Sequence, residues 1–230
     1  MTVSEMHQAF RLQLDKSSSL VGNPDFLPEE IDYWLNEAQD RFIKQRLYGN
    51  NFKQEKYDHT QKRIDDIKSI VVVSGSISLY ASGLGSNVKE GSLPISDATS
   101  PYLFYINSTT SDATSRVLQA GNIIKFDDIS DYLKDLINDP YIRRPLVSFY
   151  GDKIVFVYGD EFVPTGCDIT YVKRPKKLVS GTPGTYETNT CELSSHTHPE
   201  IVIIAVDMVI ENTESTRVQT FEQINASKVE

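Results

Sequence analysis

Cysteine is nearly absent from this chain. Its 230 residues include only Cys167 and Cys191, too few and too far apart for a disulfide framework or a four-cysteine zinc module, so both read as reduced structural thiols. Positive charge is scarce as well. Against 32 acidic residues stand 23 lysines and arginines, giving a net charge of −9, and the counterion release that drives general nucleic-acid affinity is correspondingly weak. Long apolar runs are missing: nothing approaches the roughly 18 consecutive apolar residues of a membrane span, and Met1-Thr2-Val3-Ser4-Glu5 does not open a signal peptide. The expectation is a soluble protein made in a cytoplasm, with no membrane partner. Apolar material is nonetheless ample. At 39% hydrophobic, with 12 Tyr and 10 Phe, the chain can offset the entropy of ordering either one substantial core or two small ones.

Helical patterning opens the chain. Thr2-Val3-Ser4-Glu5 forms a capping box, and Met6, Phe10 and Leu14 follow at intervals of four on one helical face. Residues 15–27 are rich in turn formers. Pro28 suits a first helical position, Glu29, Glu30 and Asp32 complement the helix dipole, and Ile31, Leu35, Ala38 and Phe42 make a buried stripe with Trp34 and Ile43 beside it. The spacing predicts a third helix from about Lys53, burying Tyr57, Thr60, Ile64, Ile67 and Val71 while Asp65 and Asp66 face water.

The period then changes. Short β-type runs are predicted over 76–80, 102–106 and 116–118, and Gly151-Asp152 between 148–150 and 153–158 reads as a hairpin with a type II′ turn. A further strand covers 168–172. Asp127 or Asp128 is read as the cap of a short helix carrying Ile129, Leu133, Leu136 and Ile137. Near the C-terminus, residues 201–210 are apolar except for Asp207, and two readings stand open, a helix covered on more than one side or a β-strand. The predicted fold class is α+β: an antiparallel helical bundle from the N- and C-terminal segments, 1–73 and 196–211, with an inserted small β-rich domain at 74–177. A connector follows at 178–195, and 212–230 form a polar tail read as a docking segment, with a frayed end as the competing reading.

Residues with chemistry in them are few, and no active site is read from them. Gly83-Leu84-Gly85-Ser86-Asn87 lacks the third glycine and the Lys-Ser/Thr pair of a phosphate loop. Ser194, Ser195, His196 and His198 crowd together without a nucleophile elbow, and Cys191, His196 and His198 match no standard zinc spacing, so a capping and turn role is expected and no metal or cofactor is assigned. Lys173, Arg174, Lys176 and Lys177 are the one dense basic patch, either a solvated strand end or a contact for DNA phosphate or an acidic partner.

Three segments in order carry a resemblance to a known family. Leu27-Pro28-Glu29-Glu30-Ile31-Asp32-Tyr33-Trp34-Leu35-Asn36-Glu37-Ala38-Gln39-Asp40-Arg41-Phe42 resembles the opening helices of podovirus head-to-tail adaptors, the tail-tubular or ring proteins beneath the portal. Ile169-Thr170-Tyr171-Val172-Lys173-Arg174-Pro175 resembles the strand that leads that family back into its bundle, and His198-Pro199-Glu200-Ile201-Val202 with Ala205-Val206 resembles its closing helix. The likeness is greatest to ring proteins of crAss-like phages of gut bacteria. It implies a non-enzymatic virion protein of the tail or neck, assembled in the host cytoplasm. It also implies a dodecameric ring on the portal protein, a platform for other tail proteins, and a channel through which genomic DNA passes without specific binding. Ile201, Val202 and Val206 on the closing helix, and Val218, Phe221 and Ile224 in the tail, are the expected partner-facing residues. The β-rich middle is longer than in the smaller helical adaptors, which leaves another ring, a stopper or a tail-hub subunit as the alternative.

Overall fold

A computed structural model describes residues 1–17, 26–48, 61–97, 99–134, 144–159, 162–180 and 190–212. The chain divides into two compact units, one from Met1–Ile70 with Pro175–Glu230 and one from Val71–Arg174.

In the first unit α1 spans Val3–Ser17, and its capping box is formed in both directions: the Glu5 N–H donates to Thr2 Oγ1 at 3.2 Å and the Thr2 N–H to Glu5 Oε2 at 3.0 Å. Val3, Met6, Phe10 and Leu14 are buried along one face. α2 spans Pro28–Tyr48, and the stripe of Ile31, Leu35, Ala38 and Phe42 is fully enclosed together with Ile43 and Leu47. α3 is short, Gln61–Ile67, followed by a 3-10 turn at Lys68–Ile70. The helix predicted to run to Val71 therefore stops early, because three consecutive β-branched valines prefer the extended chain and open the first strand. Its predicted start, with Tyr57 and Thr60, lies outside the described residues. Asp66, expected to face water, is buried. α5, His198–Asn212, settles the two readings of that segment in favour of the helix, which packs against both α1 and α2.

The second unit holds nine strands among the described residues: β1 Val71–Val73, β2 Ile77–Ser78, β3 Tyr80–Ala81, β4 Val88–Ser92, β5 Tyr102–Asp112, β6 Val117–Gln119, β7 Leu146–Tyr150, β8 Lys153–Val157 and β9 Pro164–Lys173. They form two antiparallel sheets. One has the order β1-β9-β5-β6 with β2 also on β9, and the other β3-β4-β8-β7. The run predicted as one strand over 76–80 instead changes sheet at Leu79, where Gly91 on β4 leaves room: a Cβ there would stand 2.9 Å from Leu79 Cδ2. The β7–β8 hairpin turns at Gly151, whose φ of 54° only glycine adopts freely, in keeping with the predicted type II′ turn. Ile154 and Phe156 face Tyr105, Ile169 and Tyr171 across the sandwich. On the other side of the same sheet, Val88, Val155 and Val157 are covered by Ile129 and Leu133 of α4, Ile129–Lys134. The 3-10 turn ahead of α4 is capped by Lys125 without a side-chain bond, so the predicted Asp127 or Asp128 cap is not used; Leu136 and Ile137 lie outside the described residues.

The predicted fold class is overturned. Among the described residues the chain has five helices and is strand-rich, with two antiparallel sheets, one curled into a half-barrel, and not a helical bundle carrying a small β insert. The underestimate has a physical source. β5 runs 11 residues and continues through Asn107-Ser108-Thr109-Thr110-Ser111, a polar run that reads as loop. The structure buries Ser108 and Thr110 and satisfies their hydroxyls, Thr110 Oγ1 donating to Leu118 O at 3.1 Å and Ser108 Oγ bonding Tyr105 Oη at 2.8 Å.

Candidate functional site

Polar side chains that the apolar stripe of α2 leaves unused form a row of their own. Asp32, Asn36 and Gln39 recur at intervals of four and three, on one helical face, and each binds the segment 176–180, a strap lying along the helix. Asn36 Nδ2 donates to Leu178 O at 2.8 Å while Asn36 Oδ1 accepts from the Leu178 N–H at 2.7 Å. Gln39 Nε2 donates to Lys176 O at 3.2 Å. Asp32 Oδ2 accepts from both the Ser180 N–H, at 2.7 Å, and the Ser180 hydroxyl, at 2.8 Å. Two extended residues rise about 6.6 Å and four helical residues about 6 Å, so the alternate residues of the strap keep step with the helix over this length. His7 of α1 closes the row, its Nε2 lying 2.7 Å from Asp32 Oδ1, and the Cys191 thiol donates to Gln39 Oε1 at 3.4 Å.

A second cluster joins α2, α3 and the start of α5. Asp66 Oδ2 accepts from Arg46 Nε at 2.7 Å and its Oδ1 is 2.8 Å from His196 Nε2, while Arg46 Nη2 also pairs with Glu200. The Asp66 side chain is 1% exposed and that of His196 56%, so the carboxylate anchors an imidazole that remains open to solvent. A buried ion pair of this kind adds modest net stability, but removing one partner strands the other charge. His198, two residues further on, is buried, with Nε2 against Leu193 O at 2.9 Å and Nδ1 against the Met1 amine at 2.9 Å. Burial pushes its pKa below the ordinary histidine value, against the Leu193 bond that favours the charged ring. It also drives the Cys167 thiol up to about 12 and raises that of Cys191, so neither is a ready nucleophile.

The residues singled out from the sequence are not brought into one place. Cys191, His196 and His198 bind Gln39, Asp66 and Leu193 respectively, and no group of three or more potential metal ligands occurs among the described residues. Ile201, Val202 and Val206 lie in the core of their own unit, against α1 and α2, and Val218, Phe221 and Ile224 lie outside the described residues. Lys173 ends β9 half-buried and Arg174 follows it exposed, whereas Lys176 and Lys177 are exposed on the strap, Lys176 Nζ standing 3.7 Å from Glu192 Oε1. The 83–87 loop is tied down by the Tyr158 hydroxyl, which donates to Ser86 O at 3.1 Å.

Sequence reasoning missed the roles of His7, Asp32, Asn36 and Gln39. The available signal was three polar residues at helical spacing beside an apolar stripe. Together the clusters hold elements in place, and the chemistry they display is that of positioning. No family model matches this chain, and no curated protein matches it.

Proposed function

We propose that the chain is a structural, non-catalytic subunit of the head-to-tail connector ring of a tailed bacteriophage, binding the portal, extending the DNA channel and offering a platform for tail assembly. One observation carries most weight in support: the two segments that resemble the adaptor family from opposite ends of the sequence, in α2 and α5, pack into a common core. The titratable groups flagged by the sequence favour the same reading, since His196, His198, Cys167 and Cys191 are committed to partners or to burial. A net charge of −9 suits a channel wall along which DNA slides without being gripped. The size of the β-rich unit favours the alternative within the same class, another virion tail protein such as a second ring, stopper or tail-hub subunit.

Electron microscopy of the purified chain, alone and mixed with its portal, tests the proposal. Closed rings coaxial with the portal are expected. A chain that forms no ring in either sample, and is missing from the neck and tail of purified virions, is not a connector.

A further inference from the structure

We infer that the seam between α2 and its strap is a self-association surface, on which two copies of this chain pair about a two-fold axis running along the seam. The inference goes beyond the connector reading and does not depend on it.

Tyr33 lies on α2 between Asp32 and Asn36, the two residues that hold Ser180 and Leu178, and Val179 lies between the two residues held. Both side chains therefore border the same stretch of seam. They stand out from it, Tyr33 at 59% and Val179 at 52% exposure. Both are also held in position. The Tyr33 ring sits edge-on against Trp34, centroids 5.3 Å apart, and the strap is hydrogen-bonded on either side of Val179. An aromatic fixed in advance beside a β-branched residue loses little entropy on being covered, which is how an interface anchor is built.

Charge identifies the occupant. The helix flank of the seam is acidic, with Glu29 and Glu37 exposed one turn either side of Tyr33. The strap flank carries the exposed Lys177, beside an exposed Lys176 whose charge is met by Glu192 at 3.7 Å. Neither Glu37 nor Lys177 has an ion-pair partner among the described residues. The strap runs antiparallel to the helix, residue 180 at 32 and residue 176 at 39, so Lys177 lies level with Glu37 and Val179 level with Tyr33. A half-turn about the seam lays the acidic flank of each copy on the basic flank of the other. Tyr33 then packs on Val179 of the second copy and Glu37 faces Lys177, each contact occurring twice, as an isologous interface requires. A uniformly acidic or basic partner would meet like charge on one flank. A second copy meets opposite charge on both.

Sedimentation velocity of the full chain over a concentration series tests this. The wild type should dimerise, less so as salt rises. Glu37→Lys and Lys177→Glu should each weaken the dimer by about tenfold or more, because each creates like-charge contacts, while matching the wild-type melting temperature at concentrations low enough for every species to be monomeric. An equimolar mixture of the two variants should recover wild-type association, since the heterodimer restores both opposite-charge contacts. Tyr33→Ala should weaken dimerisation at every salt concentration. A wild type that stays monomeric throughout, or single variants whose mixture recovers nothing, would overturn the inference. Rings seen by microscopy with these same variants would show that the connector reading survives such a failure.

Discussion

His198 is a histidine that the fold holds neutral. One ring nitrogen bonds Leu193 O and the other faces the Met1 amine, in a site whose burial pushes the pKa down. The unfolded chain takes up a proton at the ordinary value near 6.5, whereas the folded chain resists until its lowered pKa is reached, so stability falls as pH drops below about 6.5 and is flat above it. Melting curves from pH 5 to 8 should show that fall in the wild type, and His198→Gln, which retains a donor for Leu193 O but cannot titrate, should lose much of it. A wild-type profile flat through this range would contradict the neutral site. Asp112 acts lower on the scale. Burial opposes its ionisation, but bonds from Thr114 and Arg116 outweigh that and bring its pKa down to about 2, so its contribution is complete above the ordinary carboxylate range and lost as pH falls towards 2.

The strap on α2 is held by the polar row of that helix. Helix and strand have different periods, and Asp32, Asn36 and Gln39 fit one to the other through hydrogen bonds directed mainly at the strap's backbone. Asn36→Ala removes both bonds to Leu178 and leaves its N–H and C=O without those partners, at a cost of about 1–3 kcal/mol. Amide exchange at Leu178 and Ser180 should quicken in this variant while the interior of α2 stays protected. Unchanged exchange at those two amides would mean that the strap is held by the burial of Leu178 alone. Elements also differ in how legible they were. α1 and α2 were readable because their capping and apolar spacing agree, and the hairpin because a glycine opening a two-residue loop between alternating strands marks a primed turn. β5 beyond Ile106 was not, because the bonds that make its serines and threonines acceptable in a core come from Tyr105 and from Leu118 on a neighbouring strand.

For the whole molecule, the connector proposal assigns the C-terminal segment a task. Residues 213–230 lie outside the described residues, and their sequence places Val218, Phe221 and Ile224 at intervals of three, a spacing that a groove on a partner could accept as a short helix. Truncation after Asn212, the last residue of α5, should leave the melting temperature unchanged and weaken portal binding, with Phe221→Ala reproducing most of the loss. Portal affinity equal to that of the full chain would remove the tail from the interface. Ile201, Val202 and Val206 offer no comparable test, because replacing residues buried in the chain's own core would disturb the fold first.

Where α1 and α2 begin, which of their faces is apolar and where the β7–β8 hairpin turns could all be read from the chain before folding. These depend on near neighbours in the chain, on capping, period and composition. Tertiary structure decided the rest. The helical choice for residues 198–212 came from a shared core with α1 and α2, the weight of the two sheets from pairings such as β5 with β9, and the polar row from Asn36 meeting Leu178, 142 positions away. Burial and hydrogen-bond partners set those outcomes, and a polar side chain does not carry in its local sequence the identity of the distant group that will satisfy it.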